Sequence, residues 1–174
     1  MTPEPIVIVE YDATWPVLYQ AEQQKLTAAL APQLLELHHI GSTSVQGLAA
    51  KPIIDMLAGA RSLQEVENWV EPLRLLGYTP EAMPSIPDRR YFFKSGYHLH
   101  IAEPMSHFWQ RHLRFRDYLR SHPSTAQQYE ALKRRLAQAF RGDRSSYTQA
   151  KSSFIESVIQ RALEPDPSSP PRHR

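Results

Sequence analysis

Residues 39–57 read HIGSTSVQGLAAKPIIDML, and the rest of the chain is organised around this stretch. An apolar segment over residues 34–40 predicts a strand that runs into a loop of small and hydroxyl-bearing residues. A second apolar run over residues 52–60 predicts another strand, and its nearly continuous apolar character indicates burial on both faces. A single carboxylate, Asp55, lies inside that second run. The stretch therefore predicts a polar turn followed by a buried acid.

The loop between the two strands has the composition of a phosphate-binding turn. Short side chains at Gly41, Ser42 and Thr43 leave backbone N–H groups accessible, and such groups can hold an anion. Lys51 adds a cation close by in the sequence. An ordinary turn rich in capping residues would have the same composition, so the pattern alone leaves both interpretations open.

Asp55 is the candidate catalytic acid and metal ligand. Side chains alternate between the faces of a strand, so Asp55 and Leu57 share one face. An isolated buried carboxylate is costly unless it is paired or bound to a metal. An ion pair with Lys51 or an arginine, or the capping of a loop, would also explain Asp55.

Two histidines form the sharpest local pair. His98 and His100 lie two residues apart in a predicted strand over residues 97–101, so they point to the same face. Two neutral imidazoles side by side can bind one divalent metal, with Asp55 and His39 as further ligands. His100 is also a candidate general base. A pair of partly exposed histidines on a sheet surface is the alternative.

The order of predicted elements indicates an α+β fold, with a mixed β-sheet core followed by a C-terminal helical bundle packed on it. We expect one domain over residues 1–164, with the α/β core in about 1–103 and the helical part in about 104–164. The predicted strands are residues 6–9, 34–40, 52–60, 89–94 and 97–101, the last two as a hairpin. The predicted helices are residues 15–30, 63–76, 106–120, 123–140 and 145–163, with 78–88 as an irregular loop.

Composition excludes several classes of protein. The chain has no cysteine, which excludes disulfides, thiolate metal sites and cysteine nucleophiles. A net charge of +2 is too small to indicate nucleic acid as a partner. No apolar run approaches the roughly 20 residues of a membrane span, and residues 1–5 are unlike a secretory signal, so we expect a cytoplasmic protein. The proline-rich residues 165–174 are predicted to be disordered.

Basic residues in the C-terminal half provide further candidates for phosphate contacts. Arg116 belongs to a basic helical stripe, which can meet phosphates but is more often a solvated face. Lys151 lies where a helix dipole does not stabilise a cation, so an acidic partner or a ligand is expected there. Residues 133–135, which read KRR, have the same two interpretations as the stripe.

Taken together, these residues resemble the GrpB-like family of predicted nucleotidyltransferases. The matching segments are Trp15-Pro16, residues 39–45, 47–55, 76–78, 90–92, 98–100 and 115–120, and Tyr147 with Ala150-Lys151. They extend over nearly the whole chain apart from its tail. The resemblance implies a core of the polymerase-beta type, in which a Gly-Ser turn precedes a pair of carboxylates and a later strand adds a third.

The family resemblance also implies a chemistry and a set of ligands. Carboxylates of that type hold divalent metal, which clamps a triphosphate and activates an attacking hydroxyl. Here Gly41 and Ser42 match the turn, Asp55 matches the first carboxylate, and Leu57 stands at the second. With histidines replacing acids, the cofactor implied is Mg, Mn or Zn, and the partners are a nucleotide and a small-molecule acceptor.

Three functions remain open at this point. The chain is predicted to transfer a nucleotidyl group from a nucleoside triphosphate to an acceptor. A metal-dependent phosphoesterase using the same cleft is one alternative, and a non-catalytic binder of nucleotides or metabolites is the other.

Overall fold

Five β-strands form one mixed sheet in the computed structural model, which describes residues 5–82 and 86–164. The strands are β1 (Glu36–Ile40), β2 (Ile54–Gly59), β3 (Thr79–Pro80), β4 (Arg90–Lys94) and β5 (Tyr97–Ala102). Their order across the sheet is β1-β2-β5-β4-β3. Only β2 and β5 pair in parallel; the other neighbours are antiparallel. The predicted hairpin of β4 and β5 is confirmed.

Helices flank the sheet and fill the C-terminal part. The described ranges contain α1 (Trp15–Leu30), α2 (Val70–Leu75), α3 (His107–Ser121), α4 (Pro123–Phe140), α5 (Arg144–Ala150) and α6 (Ser152–Leu163). Two short 3-10 helices, Ser42–Ser44 and Glu65–Trp69, precede β2 and α2. None of the described helices is long and apolar enough to cross a membrane.

The two faces of the sheet carry different residues. One face, with Met56 of β2 and Leu99 of β5, forms the main core with α1 and α2. The opposite face carries Leu57, which packs against Phe108 and Trp109 of α3. The helices α3, α4 and α6 then enclose a separate apolar cluster. This arrangement confirms the predicted fold class, a mixed sheet core with a helical bundle packed on it.

The predicted strand at residues 6–9 is wrong. Only Val9 makes a single β-bridge, with Ala50. The backbone N–H of Ile6 donates to the carbonyl of Arg141 (3.2 Å), and the Ile6 side chain packs with Ala137 and Tyr147. Ile6 and Ile8 therefore pack on the helical part of the fold, while Val9 packs against the main core without joining the sheet.

Two predicted helices have different bounds. The helix predicted for residues 63–76 is α-helical only at α2, because Pro72 lacks the N–H that a longer helix would need. The helix predicted for residues 145–163 divides at Lys151, whose N–H donates to Thr148 O (3.3 Å) in a tighter turn.

Part of the predicted loop at 78–88 is the edge strand β3, where Pro80 is tolerated. The predicted disordered tail, 165–174, lies outside the described residues.

A buried carboxylate joins α1 to the sheet. Glu22 is 1% exposed, and its Oε1 accepts hydrogen bonds from Tyr78 Oη (3.0 Å) and Lys94 Nζ (2.5 Å). Burial raises the pKa of Glu22, but the hydrogen bond and charge of Lys94 outweigh it, so the pKa lies below its ordinary value. Glu22 is therefore an anion that links α1 with β4 and the turn before β3.

Replacing this carboxylate tests how much the link stabilises the fold. We expect Glu22→Ala to lower the free energy of unfolding by about 3–5 kcal/mol, because Lys94 would remain without its anion. Lys25 also contacts Glu22 (3.3 Å), but its side chain is 58% exposed. Lys25→Ala should therefore cost less than about 1 kcal/mol. Urea denaturation of both variants measures the difference, and equal losses would contradict this role of Glu22.

Candidate functional site

A cavity of about 650 Å³ opens between the sheet face that carries Leu57 and the helices α3 to α6. It brings together most of the residues that the sequence singled out. Those that line it are Gly41, Ser42, Thr43, Lys51, Asp55, His98, His100 and Lys151. His39 and Arg116 are not among its lining residues.

Asp55 lies between two imidazoles. In the sheet it pairs with His98 on β5, and its Oδ1 lies 3.1 Å from His98 Nδ1 and 3.9 Å from His100 Nε2. Burial raises the pKa of Asp55, but His100, and the hydrogen bond and charge of His98, outweigh it and hold the pKa well below its usual value. Asp55 is therefore a carboxylate anion at neutral pH.

The hydrogen bonds assign different roles to the two histidines. Arg89 Nη1 lies 3.4 Å from His100 Nδ1, and because a guanidinium only donates, that nitrogen accepts. The proton of His100 is then on Nε2, which faces Asp55. His98 donates from Nδ1 to the same carboxylate, so its Nε2 carries the accepting lone pair. Burial lowers the pKa of His100, and its side chain is only 14% exposed against 32% for His98.

The structure thus favours His98 over His100 as the proton acceptor. A carboxylate that holds an imidazole by Nδ1 orients Nε2 for proton transfer. His98 has that arrangement with Asp55 and lines the cavity. His100, which the sequence suggested as a general base, instead lies between Arg89 and Asp55.

The turn after β1 contacts Asp55 directly. A Cβ at Gly41 would lie 2.6 Å from Asp55 Oδ2, and Gly41 has a φ of +69°. Only glycine combines this close approach with a positive φ. The hydrogen bonds inside the turn begin at Ser44 and Val45, so the N–H groups of Ser42 and Thr43 take no part in them.

Thr43 and His39 hold this turn in place. The Thr43 hydroxyl donates to the carbonyl of Ile53 (3.0 Å), so it accepts from His39 Nε2 (3.0 Å). His39 pairs with Met56 in the sheet and stacks on Tyr19 at 4.7 Å, on the opposite face from Asp55. Burial lowers the pKa of His39 to about 4. The structure therefore does not bring His39 into a common site with His98 and His100.

Arg116, predicted to contact phosphate, also supports the turn. Its Nη1 donates to the carbonyl of His39 (3.2 Å), and its Nε donates to Asp117 (2.7 Å). One turn further along α3, Arg120 donates twice to the carbonyl of Ser44 (3.0 and 2.9 Å). Both arginines attach the turn to α3.

Lys133 of α4 lines the cavity, whereas the sequence left it open whether residues 133–135 meet phosphate or form a solvated face. It is 3% exposed, its Nζ donates to the carbonyl of Ala49, and it lies 5.0 Å from the centre of the Tyr129 ring. Residues 133–135 have the composition of a solvated basic stripe. The signal that would have found Lys133 is its position four residues after Tyr129, on the apolar face of the helix.

The predicted metal ligands do not fit a metal site. In the part of the chain that the structure describes, no three His, Asp or Glu side chains are arranged to hold an ion. Asp55 presents Oδ1 to both imidazoles, and Arg89 contacts the remaining nitrogen of His100. Leu57, at the position of a second carboxylate, is fully buried among Phe108 and Trp109.

Comparison with known proteins gives a consistent family match. The family model described as GrpB protein matches residues 5–161. The UPF0157 protein YqkA of Bacillus subtilis is 38% identical over 161 residues, which cover 90% of this chain and 47% of YqkA. This chain thus spans about half the length of that relative.

Two solved structures show the range of structural similarity. The crystal structure of the conserved protein GrpB from Enterococcus faecalis aligns with a TM-score of 0.84 and 35% identity, covering 90% of this chain and 97% of that one. The Cid1 poly(U) polymerase aligns at a TM-score of 0.49 and 12% identity, over 72% of this chain and 40% of that one. The second similarity is distant.

The contact between Gly41 and Asp55 can be tested by adding one methyl group. Gly41→Ala and Gly47→Ala both place a side chain at a positive φ, which costs about 1–2 kcal/mol. Nothing lies within 4 Å of a Cβ at Gly47, so only Gly41→Ala displaces Asp55. We expect Gly41→Ala to lower the free energy of unfolding in urea by clearly more than Gly47→Ala. Equal costs would contradict the close approach.

The different tautomers assigned to His98 and His100 give a second test. At pH 7.5, long-range ¹H–¹⁵N NMR correlations should show the proton of His98 on Nδ1 and that of His100 on Nε2. The Asp55→Asn variant should weaken the preference of the His98 proton for Nδ1. His122, which is exposed at the junction of α3 and α4, should keep its wild-type spectrum. The same tautomer for both histidines would contradict the assignment.

Proposed function

This chain belongs to the GrpB family, and we propose that it binds a nucleoside triphosphate in the cavity and transfers the nucleotidyl group to an acceptor hydroxyl. The observation that carries the proposal is that three features lie together around one cavity. The Gly41 turn, the Asp55–His98 pair and the cationic side chains Lys51 and Lys151 all line the same cavity. The resemblance described from the sequence supplies the reaction class.

The size and polarity of the cavity suit a nucleotide. Pockets for small molecules typically measure about 300–1,000 Å³, and this one measures about 650 Å³. Apolar and aromatic side chains such as Phe108, Phe115 and Ile155 line one part of it. A base or sugar can pack against these, while the phosphates meet the turn and the lysines.

The proposed reaction uses His98 to accept a proton. The acceptor oxygen forms a bond to the α-phosphorus, and the bond from that phosphorus to the bridging oxygen breaks. Pyrophosphate leaves with the bonding electrons, and the acceptor proton moves to His98 Nε2. Asp55 stabilises the imidazolium that results, as a carboxylate does beside a general-base histidine.

A second candidate is a nucleotide-binding protein without catalytic activity. Two observations favour it: Leu57 occupies the position where a second carboxylate would be needed, and the histidines do not complete a metal site. The cavity and its cations would serve binding equally well. The two candidates differ in whether bound nucleotide is converted.

The products of incubation with α-labelled nucleoside triphosphates distinguish the candidates. We expect label transfer to an acceptor fraction, assayed with Mg²⁺, with Mn²⁺ and with a chelator. Asp55→Asn and His98→Gln should each lower the rate by about 100-fold or more, the size of a general-base contribution. His122→Gln, which changes an exposed histidine of the α3–α4 junction, is the matched control and should leave the rate unchanged.

Other products identify other functions. Free nucleoside monophosphate without label transfer would indicate a phosphoesterase. A raised melting temperature with every triphosphate and no product would support the binding protein. If no nucleotide binds and no product forms, the proposed transfer reaction is ruled out.

A further inference from the structure

Three lysines converge on the helical side of the cavity from separate parts of the chain. Lys51 lies in the loop before β2, Lys133 in α4, and Lys151 between α5 and α6. Lys51 Nζ and Lys151 Nζ lie 5.4 and 4.2 Å from the centre of the same ring, Tyr147. Because three elements supply them, the cluster is a product of the tertiary fold.

These lysines differ from the other cations of the cavity in their partners. Arg89 pairs with Glu81 at 2.9 Å, and Arg111 pairs with Glu156. Within residues 5–82 and 86–164, no carboxylate lies within ion-pair distance of the three lysine Nζ atoms. Their contacts are the Tyr129 and Tyr147 rings and, for Lys133, the carbonyl of Ala49.

Placing these ammonium groups together is unfavourable without an anion. Burial, followed by the charges of Lys151 and Lys51, lowers the pKa of Lys133 to about 7. Burial and the charge of Lys51 lower the pKa of Lys151 to about 8. An anion bound among them would relieve this repulsion, since an opposite charge favours the ionised form.

We infer that Lys51, Lys133 and Lys151 form a polyphosphate subsite that binds the phosphates of the ligand without a divalent metal ion. The subsite rests on the proposed function for the identity of that ligand as a nucleoside triphosphate. Two observations lead to it: the lysines have no carboxylate partner in the described chain, and the predicted metal ligands do not form a metal site. The protein itself thus provides the positive charge.

The subsite lies close enough to Asp55 to act with it. The charge of Asp55 raises the pKa of both Lys51 and Lys151, although burial has the larger, opposite effect on each. The carboxylate and the lysines therefore share one electrostatic environment. A phosphate chain on the lysines would leave the Asp55–His98 pair free to contact the acceptor.

Binding at this subsite should take up a proton. The charged groups facing Lys133 are Lys51 and Lys151 from neighbouring segments, and Glu130 and Arg134 from its own helix. A bound polyphosphate raises the pKa of Lys133 above about 7, so at pH 8 the free protein lacks a proton that the complex holds. Affinity should therefore fall by up to about tenfold per pH unit above pH 7.

Calorimetric titration of the full chain with inorganic tripolyphosphate tests the subsite. The titrations are run in a chelator at pH 6.5 and pH 8, each in two buffers with different ionisation enthalpies. We expect binding at both values, weaker at pH 8, with uptake there of between one and two protons, because Lys133 gains nearly one and Lys151 about half of one. Binding that appears only after Mg²⁺ or Mn²⁺ is added, or no binding at either pH, would overturn the inference.

Substitutions of Lys133 separate charge from proton uptake. Lys133→Met should weaken binding by about tenfold or more, whereas Lys133→Arg should keep most of the affinity and lose most of the proton uptake, because arginine stays charged and only Lys151 still gains part of a proton. Lys25→Met changes an exposed lysine of α1 and is the matched control. Should Lys133→Met fail to fold, Lys133→Arg and Lys151→Met provide the same comparison. Unchanged affinity and proton uptake in all of these variants would overturn the inference.

The outcome also separates this inference from the proposed function. Tripolyphosphate binding in chelator without any nucleotidyl transfer would support the subsite and contradict the transfer reaction. Transfer that requires Mg²⁺, with no tripolyphosphate bound in chelator, would support the reaction and contradict the subsite.

Discussion

A single carboxylate, Asp55, lies on the sheet face that packs Leu57 against α3, and the surrounding residues satisfy it. Its side chain is 29% exposed, so the charge is partly buried, and a partly buried charge is costly unless it is paired and hydrogen-bonded. His98 and His100 supply that pairing, Arg89 fixes the tautomer of His100, and Gly41 leaves space for the carboxylate. The glycine in the turn and the positions of the histidine protons both serve this one requirement.

Across the cavity the electrostatic situation is reversed. Lys51, Lys133 and Lys151 are close to one another and to aromatic rings, and the described chain places no carboxylate within ion-pair distance of them. The site therefore has a paired anion on the sheet side and, on the helical side, cations without a carboxylate in ion-pair distance. That asymmetry favours an anionic ligand, which would complete the charge balance, over a metal ion, which would add to the positive charge.

Local patterns were sufficient for much of the fold and for part of the site. Alternation along a strand placed His98 and His100 on one face, and the small-residue turn was found beside Asp55. The same patterns failed where contacts between residues distant in sequence determine the position of a side chain. Ile6 packs with Tyr147 instead of joining the sheet, and the buried ammonium of Lys133 meets the carbonyl of Ala49, 84 residues away. His39 faces Tyr19 because the sheet register assigns it to the other side.

A crystal structure of the chain with a non-hydrolysable nucleoside triphosphate analogue and Mn²⁺ tests the central claim most directly. Our account predicts phosphate density on Lys51, Lys133 and Lys151, and no anomalous manganese peak on the imidazoles of His98 and His100. A manganese ion coordinated by Asp55 and those imidazoles, with the phosphates away from the lysines, would contradict it.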